Sequence, residues 1–104
     1  MMIQIQLLSF PKIEEDGVLI RFPYKKAEAL FYYLAVEKSI SRDKAALLLW
    51  EDEDELTAKK NLRHAIYIIR KMFHDEVVIS PQKSMLQLNP SAAVSTDLES
   101  LDGS

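Results

Sequence analysis

From Ala58 to Phe73 the apolar residues Ala58, Leu62, Ala65, Ile66, Ile69, Met72 and Phe73 recur at three- and four-residue intervals. At about 100° per residue they fall within roughly 120° of one another, which predicts a helix with one buried side. Such a helix cannot bury its stripe alone and needs a core supplied by the rest of the chain. Opposite the stripe lie Thr57, Lys60, His64, Tyr67 and Lys71, with Lys59, Arg63 and Arg70 on one flank and Asn61 and Ile68 on the other. Between Thr57 and His74 every charged residue is basic: Lys59, Lys60, Arg63, Arg70 and Lys71. The whole chain carries −3, so everything outside this segment sums to −8 against +5 inside it. Charge is sorted by position, and local potential rather than net charge steers a charged partner.

The other segments show what could cover the stripe. Ile3, Ile5 and Leu7 alternate with Gln4 and Gln6, predicting a strand that Phe10-Pro11 ends. Val18, Ile20 and Phe22 alternate with Leu19 and Arg21 in a second strand, and Ile13 to Gly17 reads as the turn of an antiparallel hairpin. After Pro23 the period changes. Ala27, Leu30, Phe31, Leu34 and Ala35 share one helical face, predicting a first helix from about Tyr24 to Glu37. Ser39-Ile40-Ser41 is a connector or a fragment of strand, and Ser41 is placed to cap a second helix from Arg42 to Trp50, with Asp43 in its first turn. Asp52 and Glu55 have capping-box spacing at the head of the third helix, which runs to about Phe73. Val77 to Ile79 and Met85 to Leu88 read as two strands around the polar tip Ser80-Pro81-Gln82-Lys83-Ser84, and Asn89-Pro90 stops the second. Ser95-Thr96-Asp97-Leu98-Glu99 resembles the cap and first turn of a helix that is cut short. The expected division is therefore a domain over 1–96 and a tail over 97–104 that begins another.

Composition removes most other classes. At 104 residues, with 48% apolar and 28% charged, the chain suits one globular domain with a single core. Without cysteine there is no disulfide framework and no thiolate metal site, and the cytoplasm is the expected compartment. No apolar run approaches the length of a membrane span, and the first residues lack the basic and apolar regions of a signal peptide. Gly17 and Gly103 are too few for a phosphate-cradling loop. No cofactor and no metal are expected, since His64 and His74 lie ten apart and point in different directions. Ser41-x-x-Lys44 and Ser80-x-x-Lys83 match a serine-lysine spacing without its partner motifs, and the paired acids sit on loops rather than in a cleft, so no enzyme is expected.

Two strands, three helices and a terminal hairpin, with the third helix basic on its outer side, is the order of an α+β winged helix-turn-helix: an N-terminal antiparallel sheet, three helices and a C-terminal β-hairpin wing. A helix fits the major groove of B-DNA, and a hairpin beside it reaches backbone or minor groove. Thr57, Lys60, Asn61 and His64 are expected towards bases, because recognition helices enter by their N-terminal end. Tyr67, Arg70 and Lys71 are expected towards phosphates, with Lys59 and Arg63 on the flank. Arg42 and Lys44 at the start of the second helix, and Lys83 at the hairpin tip, are further backbone candidates; for Lys83 ordinary turn polarity is an equal reading. A basic amphipathic helix can also be no more than a solvated face. Five cations without an acid, however, forgo the i,i+4 pairs that steady an exposed helix, and so invite an external anion. Trp50 ends an apolar helix and reads as core rather than as a stacking platform.

Lys26-Ala27-Glu28-Ala29-Leu30-Phe31-Tyr32-Tyr33-Leu34-Ala35, Ser41-Arg42-Asp43 leading to Leu48-Leu49-Trp50, and Ala58-Lys59-Lys60-Asn61-Leu62-Arg63 with Ile69-Arg70-Lys71 resemble the DNA-binding domain of SARP/AfsR-type bacterial transcriptional activators, which are OmpR/PhoB-type winged helices. The resemblance runs from about Ile3 to Asp97, with Ile69 standing where the family often has Leu. It implies a four-stranded N-terminal sheet, for which Phe10 to Ile13 is a candidate strand, and a helical activator domain following near Asp97. The expected partners are double-stranded DNA, RNA polymerase and a second copy on a direct-repeat site. In similar winged helices the loop between the second and third helices can face the polymerase. Here that loop is Glu51-Asp52-Glu53-Asp54-Glu55, and capping with favourable dipole charge at the helix start explains the same acids. Both readings stand. The rival from another class is a winged-helix protein-docking module that binds no DNA. Membrane binding fits poorly, since the apolar stripe is needed for the core.

Overall fold

A computed structural model describes residues 2–7, 12–74 and 76–96. Within them the order is β1 (Met2–Gln6), β2 (Lys12–Glu15), β3 (Val18–Ile20), α1 (Lys25–Glu37), β4 (Ser39–Ser41), α2 (Arg42–Leu49), α3 (Glu55–Met72), β5 (Val78–Ile79), β6 (Met85–Leu88) and β7 (Ala93–Thr96). The fold is α+β, with three described helices and two small sheets.

The first sheet runs β3-β2-β1-β7. Alternation along β1 turns Ile3 and Ile5 to the core and Met2 and Gln4 to solvent. Ile5 sits opposite Ile13, and Ile13 opposite Ile20, so three isoleucines form one inward row across the antiparallel strands. The opening hairpin therefore differs from the sequence reading. Lys12 to Glu15 is a strand between β1 and β3, and the turn shrinks to Asp16-Gly17. Their φ angles of 52° and 84° are those of a two-residue hairpin turn, which Asp-Gly adopts readily. Asp16 also accepts a bond from the Met2 amide at 3.0 Å through its carboxylate, tying the turn to β1.

The C-terminal end is a second correction. Ser95 and Thr96 do not open a helix: they belong to β7, which pairs parallel with β1 from Met2↔Ala93 to Ile5↔Thr96. The first sheet is therefore mixed rather than antiparallel. The long-range partner β1 offers an edge of unpaired amides and carbonyls, and these outweigh the local capping signal. The continuation of that expected helix through Asp97, Leu98 and Glu99, the tail over 97–104, and the Phe10-Pro11 stop lie outside the described residues.

Each helix follows its apolar spacing. α1 buries Ala27, Leu30, Phe31, Leu34 and Ala35 and ends at Lys38, whose φ of 75° reverses the chain into β4. Ser41 caps α2, its hydroxyl accepting the Lys44 amide at 3.1 Å. α2 stops at Leu49, one residue short of the expected end, and Trp50 is buried with its indole N–H donated to the Tyr24 hydroxyl at 3.2 Å. α3 buries Ala58, Leu62, Ala65, Ile66 and Ile69, while Met72 and Phe73 are half-buried. Its cap is Asp54 rather than Asp52, because the helix starts at Glu55 and only Asp54 stands three residues before the Thr57 amide that it accepts at 2.8 Å.

Phe31 lies 5.9 Å from Phe22 and 5.0 Å from Phe73, ring centre to ring centre. The three rings join the segment after β3, α1 and the end of α3. The second sheet, β4-β6-β5, is antiparallel, with Ile40 opposite Leu86 and Val78 opposite Leu88. Its inward residues Ile40, Val78, Leu86 and Leu88 complete the core beside the helices. Each fully buried aliphatic or aromatic side chain there contributes about 1.5–3 kcal/mol.

Candidate nucleic-acid interface

α3 buries one side by its spacing, and so the other side is presented as one face. Lys60, Arg63, His64, Tyr67 and Lys71 are exposed on it, and Thr57 and Asn61 are half-buried at its N-terminal end. Three rings run across this face: Tyr24 lies 5.8 Å from His64, and His64 stacks on Tyr67 at 6.4 Å. Tyr24 is the residue before α1 and holds the Trp50 indole, so the aromatic row is anchored to the core. Its share in this face was not foreseen from the sequence. The cue was there, since Tyr24 is the only aromatic at the α1 start after Pro23.

The basic residues fall into three environments. Lys59 turns to the α2 side, pairing with Glu55 at 2.9 Å and Asp43 at 3.8 Å. The bond that Lys59 donates to Glu55, and then the charges of Glu55 and Asp43, hold the Lys59 ammonium above its ordinary range. The segment thus does have an i,i+4 partner, one turn before the stretch counted as free of acids. Lys60, Arg63 and Lys71 stand on the outward face, and no ion pair among the described residues reaches them.

Arg42 and Arg70 form the third environment. Both bind the β5–β6 hairpin. Arg70 donates Nε and Nη2 to the Val78 carbonyl at 3.1 and 2.7 Å. Arg42 donates Nε to the Lys83 carbonyl at 3.1 Å and Nη2 to the Ser80 hydroxyl at 2.8 Å, while its amide donates to the Ser84 carbonyl at 2.8 Å. Partial burial, and then repulsion from Arg70 and Arg63, hold the Arg42 guanidinium below the usual arginine range. Ser80 and Lys83, one of the two serine-lysine spacings, are therefore the anchor points of an arginine, and Ser41 and Lys44 of the other form a helix cap. The Lys44 and Lys83 side chains are exposed.

The acidic loop lies at the other end of α3. Glu51 to Glu55 are all exposed, beside Leu47, which is 69% exposed, and Leu56, which is 81% exposed. A groove of about 420 Å³ opens beside Leu47, with Ala46 and Trp50 on its floor and Asp43, Glu51 and Glu53 at its rim. Bonds from the Thr57 side chain and amide keep the Asp54 carboxyl below the usual carboxylate range, and Lys59 does the same for Glu55. Those two acids have capping and pairing roles, whereas no described hydrogen bond or ion pair involves the side chains of Glu51, Asp52 or Glu53.

Among the described residues no group of three or more His, Asp or Glu side chains could hold a metal ion, and no helix is long and apolar enough to cross a membrane. His74 is exposed, its Nδ1 accepting the Glu76 amide at 3.1 Å. No family model, curated protein or solved structure matches this chain.

Proposed function

We propose that this chain is a winged helix that binds double-stranded DNA sequence-specifically, as the DNA-binding domain of a bacterial transcriptional activator of the SARP/AfsR type acting on the nucleoid in the cytoplasm. One observation carries the reading: the outward face of α3 presents Lys60, Arg63, His64, Tyr67 and Lys71 beside a hairpin that Arg42 and Arg70 grip. In this reading α3 enters the major groove, and the β5–β6 hairpin is the wing on backbone or minor groove. Thr57, Lys60, Asn61 and His64 read base edges, and Arg63, Tyr67, Arg70, Lys71, Arg42, Lys44 and Lys83 meet phosphates. Lys59 contributes least, because its charge is already met by two carboxylates.

The exposed Leu47, Leu48 and Leu56 beside the unpaired acids favour a second contact, with a protein surface that is basic and apolar. RNA polymerase is the partner proposed for it. Selection from a randomised duplex pool tests the principal reading. A short enriched site, arranged as a direct repeat for two copies, is expected, and K60E with R63E abolishes its binding while the thermal transition is kept. No enrichment, or unchanged affinity in the double variant, rejects α3 as the reader and leaves the protein-docking module.

A further inference from the structure

A cleft of about 510 Å³ opens between the start of α2 and the C-terminal half of α3, lined by Arg42, Arg63, Ile66, Tyr67, Arg70 and Lys71. Four of these six side chains are cations, and no ion pair among the described residues involves them. Like charges drawn together around a concave surface repel, and a carboxylate between them is the usual remedy. Here the oxygens that hold the two half-buried guanidiniums are neutral: the Lys83 carbonyl and Ser80 hydroxyl for Arg42, and the Val78 carbonyl for Arg70. A neutral acceptor fixes the direction of a guanidinium without cancelling its charge. Each guanidinium has five N–H donors, and those not used on the hairpin stay available on a group whose orientation is already set. Arg63 and Lys71 are exposed at the mouth, with the Tyr67 hydroxyl as a further donor.

We propose that this cleft is a seat for one phosphate group, gripped by Arg42 and Arg70 on the hairpin side and by Arg63 on the solvent side, and that the group comes from a duplex backbone. The seat stands on the cleft alone, while the duplex as its source rests on the proposed DNA-binding function. Because the same two arginines grip the hairpin, filling the seat also fixes the hairpin against α2 and α3. Positioning of the wing is thereby linked to a backbone contact that carries no sequence information.

The test uses the full chain labelled with ¹⁵N, following the arginine Nε–H signals and the backbone amides of Ser80 and Val78. Sodium phosphate is titrated against sodium chloride at matched ionic strength. Phosphate is expected to shift Arg42 and Arg70 along one saturating curve with half-saturation roughly millimolar, carrying the two hairpin amides with them, while chloride does not. R63Q should raise the half-saturation at least about threefold through loss of one charged contact, and K12Q, on the first sheet, should leave it unchanged. No saturation, or an equal response to chloride, overturns the seat.

A random-sequence duplex of 16 base pairs is then added, with its binding read independently by anisotropy. Shifts of the same signals, reversed by excess phosphate, support the duplex as source. If the duplex binds and Arg42 and Arg70 do not move, the seat is wrong and the DNA-binding function survives. If phosphate saturates the seat and no duplex binds, the seat holds for a free phosphorylated ligand, and its assignment to DNA is overturned.

Discussion

Lys59 and Lys60 are neighbours in sequence with opposite surroundings, and that contrast gives a sharp test of which side of α3 meets DNA. Lys59 lies 2.9 Å from Glu55 and 3.8 Å from Asp43, so removing it removes an internal pair. Lys60 is exposed, and no ion pair among the described residues reaches it. Arg42, Lys44, Lys60, Arg63, Arg70, Lys71 and Lys83 are the seven cations proposed to meet DNA that have no carboxylate partner among the described residues. On random duplex, where Lys60 has no base to read, each displaces one condensed counterion, and the slope of log affinity against log salt is about −6.3. Affinity for random duplex then falls about 6,000-fold between 50 and 200 mM salt. K60Q removes one contact, bringing the slope to about −5.4 and the fall to about 1,800-fold. K59Q should leave the slope at its wild-type value. The assay is fluorescence anisotropy of a labelled duplex at four or more salt concentrations for the three proteins. A K59Q slope that drops as far as that of K60Q, or further, would refute the reasoning, because the Lys59 charge is already balanced by two carboxylates, and so its cluster has no net positive charge with which to displace a counterion.

Three further outcomes follow from the fold. F31A removes a fully buried ring that meets Phe22 and Phe73 and should cost about 3–5 kcal/mol in urea denaturation; a loss below about 1 kcal/mol would show that the ring cluster does not join the two halves of the core. K38G relieves a φ of 75° at the end of α1 and should raise stability by about 1 kcal/mol, or several degrees in Tm, whereas K38A should not. The Asp54 carboxyl is depressed by its bonds from Thr57, so the folded state binds that proton less readily than the unfolded chain. Its stabilisation is present above the unfolded value near 4 and is lost as pH falls through the folded value. The Tm difference between wild type and D54N should therefore narrow from pH 6 to pH 3, and a constant gap would remove the cap from the account.

Short-range periodicity made α1, α3 and the β5–β6 hairpin legible in the sequence, since each buries a face that its own spacing defines. β2 was visible only as the candidate strand Phe10 to Ile13 that the resemblance suggested, and its own residues hide it, because Lys12, Glu14 and Glu15 are charged and only Ile13 points inward. β7 was hidden because its reason for being a strand is β1, about ninety residues away in the chain, whereas Ser95 and Thr96 carry a local capping signal. The site divides in the same way. The outward face of α3 follows from helical geometry and could be read in advance. The grip of Arg42 on Ser80 and Lys83 spans 38 and 41 residues, and no local pattern announces it. The Lys59 pairs were missed because Glu55 lies one turn before the basic stretch and Asp43 lies on another helix.

The charge order along α3 separates what the helix needs from what it offers. Its N-terminus has a partial positive charge, and Asp54 and Glu55 answer it; its C-terminus has a partial negative charge, and Arg70 and Lys71 are the basic residues of its last turn. These end charges would suit any helix of this length, whatever its function. Lys60, Arg63 and His64 are different, because they lie beyond the reach of either end, and the dipole effect fades within the first and last turns. Nothing in the helix's own stability calls for two cations at its middle that have no ion pair among the described residues. The middle of the face is therefore where an external anion gains most, and substitutions there should reduce DNA affinity with the least change in folding.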